Sequence, residues 1–144
     1  MVRESKAEDL WQLLELYTHL HEKEVPPDSP KLRETWEAIC ADPNYHIVVY
    51  EEQGRVVSAC LCLIVPNLTH SVRPFALVEN VVTHRDHRGK GYATACLDYA
   101  ADLARNNGCY KIMLMTGSKE QSTLDFYRRA GYSSEGKTPF NMLL

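Results

Sequence analysis

Apolar residues recur along the chain with two different periods, and the changes of period outline its elements. Leu10, Leu13, Leu14, Leu16, Tyr17 and Leu20 lie three or four apart. That is the spacing of one helix face, so a helix is expected through about His21, with Ser5 or Asp9 available to cap it. Val25-Pro26-Pro27-Asp28-Ser29-Pro30 breaks the pattern. Lys31 to Ala41 restores it with Leu32, Trp36, Ile39 and Cys40, and Asp42-Pro43-Asn44 ends it. Residues 1–4 read as a short first strand. Tyr45 to Glu52 and Arg55 to Val65 are rich in Val, Ile, Tyr and Cys, and a turn at residues 51–54 makes them a hairpin.

Beyond the polar loop Pro66 to Pro74, Phe75 to Thr83 is a third long strand, expected antiparallel to the second. Gly91 to Asn106 is a helix with Ala93, Cys96, Leu97, Ala100 and Ala104 on one face, stopped by Asn106-Asn107-Gly108. Tyr110 to Met115 follows as a strand. Strand, helix, strand over this distance is a βαβ unit with parallel strands and a right-handed crossover. Ser118 to Ala130 is a last helix, and Tyr132 to Glu135 with Thr138 to Leu144 are two closing strands. The expectation is an α/β fold: one domain over residues 1–144, with a mixed, mostly antiparallel sheet.

The composition removes several classes of function. A net charge of −3 gives no general attraction to nucleic acid or to an anionic membrane surface. No apolar run approaches the ~20 residues needed to span a bilayer, and the start of the chain lacks the apolar core of a signal peptide. The cysteines number five: Cys40, Cys60, Cys62, Cys96 and Cys109. Cys60-x-Cys62 has no second pair at zinc-binding spacing, and alternation puts both on one strand face, so no metal is expected. An odd set of cysteines in apolar runs suits a reducing compartment, and the expected location is cytoplasmic.

The stretch with chemistry runs from Glu79 to Ala93. A strand enters a polar loop, Arg88-Gly89-Lys90-Gly91, which opens a helix. The first turn of a helix leaves N–H groups unpaired and carries partial positive charge. Glycines let an anion approach the backbone, and Arg88 and Lys90 add full charges. Together these features describe a phosphate site. A Walker A loop fails because Gly91 follows Lys90, and a dinucleotide fingerprint fails at Thr94. The spacing that fits is Arg-x-x-Gly-x-Gly/Ala, at Arg88, Gly91 and Ala93.

On this motif, on Phe126-Tyr127-x-x-x-Gly131-Tyr132 and on the element order, the chain resembles the GCN5-related N-acetyltransferase (GNAT) superfamily over nearly its whole length. The resemblance implies the GNAT fold with a central β-α-β unit. It implies acetyl-CoA as co-substrate, with pyrophosphate on Arg88, Gly89, Lys90, Gly91, Tyr92 and Ala93. Val81, Val82 and Thr83 are then expected to pair with the pantetheine arm through their backbones, one N–H near Val81 polarising the thioester oxygen. The chain departs from the family at Glu120, where many members have an asparagine; Ser118, Lys119 or Ser122 is left to replace its contacts.

Acetyl transfer to an amine needs a base, a polarised carbonyl and a stabilised thiolate. Glu79 lies in an apolar strand, on the face expected to hold Leu77 and Val81. A carboxylate there is either a structural ion pair or a base facing a cleft, and partial burial raises such a pKa toward a useful value. The resemblance favours the base, acting directly or through water. Tyr127 is a packed aromatic on its pattern alone, and the general acid on the resemblance. His19 and His21 read as surface residues, and His84 and His87 as loop scaffolding.

The acceptor is expected to approach from His19–Pro30 and Pro66–Pro74, with Arg73 and Asn80 as substrate-side residues. Similarity to glucosamine-phosphate acetyltransferases suggests a small primary amine, an amino sugar or its phosphate. A peptide or protein amine, and an acyl-CoA-binding regulator without turnover, remain alternatives. Neither nucleic acid nor membrane is an expected partner, and a homodimer is compatible with the sequence.

Overall fold

The computed structural model describes residues 1–144. Five strands form one sheet in the order β1-β2-β3-β4-β5. β1 (Val2–Glu4), β2 (Tyr45–Glu52), β3 (Arg55–Val65) and β4 (Phe75–Thr83) pair antiparallel, and β5 (Ile112–Leu114) joins β4 in parallel. The three long strands keep the boundaries read from the sequence. The turn joining β2 and β3 has Gln53 at φ 50 and Gly54 at φ 77, the two positive angles that a tight hairpin loop requires.

Helices cover both faces of the sheet. α1 (Leu10–Tyr17) and α2 (Pro30–Ala41) place Leu10, Leu13, Leu16 and Trp36 against Ile47, Val49, Val56, Ala59 and Val82. A single turn, α3 (Thr69–Val72), lies in the loop before β4; its residues His70, Ser71 and Val72 have positive φ. α4 (Tyr92–Asn106) packs Cys96, Leu97, Ala100 and Ala104 against Val48, Cys60, Cys62, Ile64, Ala76 and Val78. α5 (Gln121–Arg129) sets Phe126 and Tyr127 beside that second core. Cys60 and Cys62 share a face, as alternation required. No helix is long and apolar enough to cross a membrane.

Several expectations change, and β5 keeps only Ile112–Leu114 of the expected Tyr110 to Met115. α1 ends at Tyr17 and α5 begins at Gln121, each about a turn shorter than its apolar pattern. Neither Ser5 nor Asp9 caps α1 through its side chain. The buried Asp9 carboxylate accepts the Lys6 N–H at 2.7 Å and the Arg3 guanidinium at 2.7 and 3.1 Å, and Arg3 also meets Glu51 at 2.7 Å. Asp9 therefore ties β1 to the start of α1 and to β2.

The last two changes lie in the sheet. Residues 132–135 and 138–144 form no strands. A strand needs a ladder partner as well as propensity, and the edge they would join belongs to a β5 of three residues. The register of β4 also shifts. Leu61 pairs with Glu79 and Ala59 with Val82, so β4 advances three residues while β3 advances two. The extra residue is a β-bulge at Asn80, which has φ 52. Parity along β4 reverses there. Glu79 shares its face with Leu77 and Val82, toward α1, whereas Val81 turns to the α4 side. The sequence-based placement of Glu79 beside Val81 is corrected by this one inserted residue.

Candidate active site

β4 and β5 pair only from Ala76 opposite Ile112 to Val78 opposite Leu114. Beyond the bulge, β4 has no neighbour on that side, and a cavity of about 600 Å³ opens there. Its lining comes from the end of β4 (Val81, Val82, Thr83), the loop into α4 (Arg88, Gly89, Gly91, Tyr92, Ala93) and α5 (Ser122, Thr123, Phe126, Tyr127). His87, Thr94 and, just past α1, His19 and Leu20 complete it. Most of the residues read as cofactor-binding thus meet at one cleft.

The loop is built to present backbone. Gly89 and Gly91 have φ 76 and 82, angles that side chains resist. A Cβ built on Gly91 meets nothing within 4 Å. The first helical bond of α4 runs from the Ala95 N–H to the Gly91 carbonyl at 3.0 Å. The N–H groups of Tyr92, Ala93 and Thr94 therefore have no acceptor in the chain and sit at the positive end of a fifteen-residue helix. Diphosphate oxygens fit this cradle.

The side chains of the loop have a different task. The Arg88 guanidinium donates to the carbonyls of Thr83 and His19, both at 3.3 Å. Tyr92 stacks on Tyr50 with ring centroids 4.1 Å apart, and its hydroxyl donates to Glu52. That hydrogen bond pushes the Tyr92 phenol up to about 12 and holds the Glu52 carboxylate below its usual range. Glu52 also meets His87 Nδ1 at 2.7 Å and Lys90 Nζ at 3.8 Å. One carboxylate at the β2 turn thus fixes both the loop and the first turn of α4. Glu52 carries no local sequence signal; only tertiary pairing brings it to the loop.

His19 is half-buried, not a surface residue. Its ring lies 4.0 Å from that of His84, whose Nδ1 accepts the Asp86 N–H at 3.2 Å. Burial, then the neighbouring His19, holds the His84 pKa below its ordinary value. His21 is exposed.

Tyr127 and Glu79 take opposite sides of the strand opening. Tyr127 packs at the α4-side core and lines the cavity. Burial raises its pKa above the ordinary 10, and the charges of Cys60 and Glu79 add to the effect. Glu79 is half-buried on the α1 face, opposite Leu61, and is not among the cavity's lining residues. Asn80 makes the bulge between them. Ser122 lines the cavity and Ser118 and Lys119 do not; Glu120 occupies the N-cap position of α5.

Arg73 lies elsewhere. Its guanidinium donates to the carbonyls of Gly108 and Cys109, at 3.1 and 3.0 Å, at the opposite end of β4 from the cleft. No residue of the loop 66–74 lines the cavity. Of the expected acceptor segments, only the one after α1 reaches it. A second cavity of about 440 Å³ adjoins through His19 and is lined in part by Gln12, Glu15, Thr18, Arg55 and His84. No group of three or more His, Cys, Asp or Glu is arranged to hold a metal ion.

Comparison with known proteins agrees with this geometry. The model of the acetyltransferase (GNAT) family matches residues 10–132. Glucosamine 6-phosphate N-acetyltransferase of Trypanosoma brucei brucei is 28% identical over 137 residues, covering 91% of this chain and 87% of that protein. Thialysine N-epsilon-acetyltransferase of Bos taurus is 28% identical over 143 residues, covering 91% and 82%. The solved structure of an Agrobacterium tumefaciens str. C58 protein, provisionally named an acetyltransferase, superposes with TM-score 0.93 at 35% identity, covering 100% of this chain and 99% of that one. The chain belongs to the GNAT family and is an acetyl-CoA-dependent N-acetyltransferase.

Proposed function

We propose that the protein transfers the acetyl group of acetyl-CoA to the primary amine of a small acceptor, by direct attack while both substrates are bound. The observation that carries this reading is the opening of β4 from β5 at the Asn80 bulge. It supports a path for the pantetheine arm past Val81 to Tyr127, with the diphosphate on the N–H groups of Tyr92, Ala93 and Thr94 and the backbone of Val82 and Thr83 alongside. The amine approaches from the α1 side, where the bulge has turned Glu79. Its lone pair forms the new C–N bond and the carbonyl oxygen becomes an oxyanion, met by a backbone N–H near Val81. Glu79 takes the amine proton, directly or through a water, the C–S bond breaks, and Tyr127 protonates the departing thiolate. Asn80, at the bulge, borders the acceptor.

An amino-sugar phosphate is the first acceptor to test, because the trypanosomal relative is named for glucosamine 6-phosphate and matches along most of the chain. A regulator that only binds acyl-CoA would need the loop but not Tyr127 and Glu79. The test is thiol release from acetyl-CoA against amino-sugar phosphates, unphosphorylated amino sugars, thialysine and peptides, with acetylated product identified by mass. Rapid release with a small amine is expected. Release with peptides alone would redirect the assignment, and binding without release on any amine would leave a regulator.

A further inference from the structure

Tyr50 and Glu52 are two apart on β2, so their side chains share one face of the sheet. It is the α4 face, where Tyr50 packs against the core. Between them they hold Tyr92, the first residue of α4: its ring stacks on Tyr50 and its hydroxyl donates to Glu52. The same carboxylate lies 2.7 Å from His87 Nδ1 and 3.8 Å from Lys90 Nζ, and that ammonium stands 5.8 Å from the centre of the Tyr92 ring. Glu52 is itself fixed, opposite Arg55 at the last rung of the β2–β3 hairpin. One strand end thus takes hold of the loop before Gly89, between the two glycines and after Gly91. Gly89 and Gly91 have backbone freedom to lose, and a loop ordered in advance does not lose it on binding. By charge alone, a carboxylate this close to the loop opposes a diphosphate. The two effects have opposite signs, so removing Glu52 shows which is larger.

We propose that Glu52 is a positioning residue for acetyl-CoA: it holds the loop and the first turn of α4 in the arrangement that receives the diphosphate, and this ordering outweighs its repulsion. Glu52 acts through Tyr92, His87 and Lys90. Tyr92 and His87 line the cleft, and Glu52 does not. The proposal rests on the diphosphate lying on this loop, as in the proposed function. Glu52 is remote from the reacting atoms. Arg55 and Leu61, the β3 partners of Glu52 and Glu79, are separated by about 20 Å of strand. Loss of Glu52 therefore reaches the chemistry only through the placement of the cofactor. Tyr50 supplies the apolar half of the hold, so a variant lacking the carboxylate keeps the ring stack.

Calorimetric titration of acetyl-CoA into Glu52→Ala, Glu52→Gln and Tyr92→Phe tests this, with Gly91→Val as the control for the site. Glu52→Ala is expected to raise the dissociation constant by ~10-fold. Glu52→Gln keeps an acceptor for the Tyr92 hydroxyl and is expected to fall between Glu52→Ala and the wild type. Tyr92→Phe keeps the stack on Tyr50, loses the bond to Glu52 and is also expected to bind more weakly; it decides the matter if Glu52→Ala does not fold. Amide hydrogen exchange supplies the second readout. In free Glu52→Ala, exchange is expected to rise in peptides spanning residues 84–97 and to stay at the wild-type level elsewhere, and saturating acetyl-CoA is expected to erase the difference. Exchange that rises throughout the chain would overturn the proposal, because Glu52 would then serve general stability. Unchanged or tighter binding in Glu52→Ala and Tyr92→Phe, with binding lost in Gly91→Val, would overturn it and leave the diphosphate site standing. Wild-type affinity in Gly91→Val as well would remove the diphosphate site and this proposal with it.

Discussion

Tyr127 lines the cleft with a hydroxyl that has no hydrogen-bond partner in the chain, so removing that oxygen breaks no internal bond. Tyr127→Phe keeps the ring. Its melting temperature should hardly move, while turnover falls by the ~10²–10⁴-fold typical of a lost acid. Full turnover would return Tyr127 to the status of a core aromatic. Burial holds the phenol above its ordinary value of 10, so it stays protonated through the neutral range and should add no limb to the pH–rate profile there. Glu79→Gln should leave acetyl-CoA affinity nearly intact and lower turnover by ~10²-fold or more. If Glu79 is the base, that deficit shrinks as pH rises, because the free amine becomes neutral unaided. A deficit constant across pH would instead mean that Glu79 positions the acceptor.

The bulge in β4 puts Glu79 on the α1 face and Val81 on the α4 face. Asn80 holds φ 52, an angle that asparagine tolerates and a β-branched residue resists. Asn80→Gly should keep stability within about 0.5 kcal/mol, whereas Asn80→Val should lose about 1–2 kcal/mol in denaturant titrations. An equal response from both would place the strain elsewhere. The sequence could not disclose this bulge. Helices cover both sheet faces, so apolar residues precede and follow the pair Glu79-Asn80 and parity leaves no trace in the pattern. The same two-sided burial made β2, β3 and β4 legible as long apolar runs, and the spacing of Arg88, Gly91 and Ala93 made that loop legible as a candidate phosphate cradle. The closing strands were misjudged because a ladder is a tertiary fact: Thr138–Leu144 has the composition of a strand and no partner. Glu52 and His19 escaped for the same reason, each reaching the loop only through folding.

Across the whole molecule, charge pairing and burial limit stability at the two ends of the pH scale. Burial alone would raise the Asp9 pKa, but Arg3 and the Lys6 N–H outweigh it and hold the carboxyl below its usual value. Stability from that group is therefore present above the ordinary carboxylate pKa of about 3.9 and lost as pH falls through the lower folded value. Asp9→Ala removes the acceptor of the Lys6 N–H and one of the two carboxylates on Arg3, Glu51 remaining, and should cost about 1–3 kcal/mol. Loss below about 1 kcal/mol would show the knot to be superficial. At the alkaline end, burial raises Tyr17 to about 12 and Cys96 to about 12. Their contributions are complete below the ordinary values and vanish as pH rises through the folded ones, so unfolding should begin as pH climbs past about 10. These effects keep the sheet, and with it the cleft, intact over the neutral range where transfer is expected. In the proposed function acetyl-CoA lies with its diphosphate on the backbone between Gly89 and Thr94. Calorimetric titration of acetyl-CoA into the folded Gly91→Val variant tests it most directly. A side chain on Gly91, at φ 82 and facing open space, should raise the dissociation constant by ~10²-fold or more, about 2.7 kcal/mol or more; wild-type affinity in that variant would contradict the account.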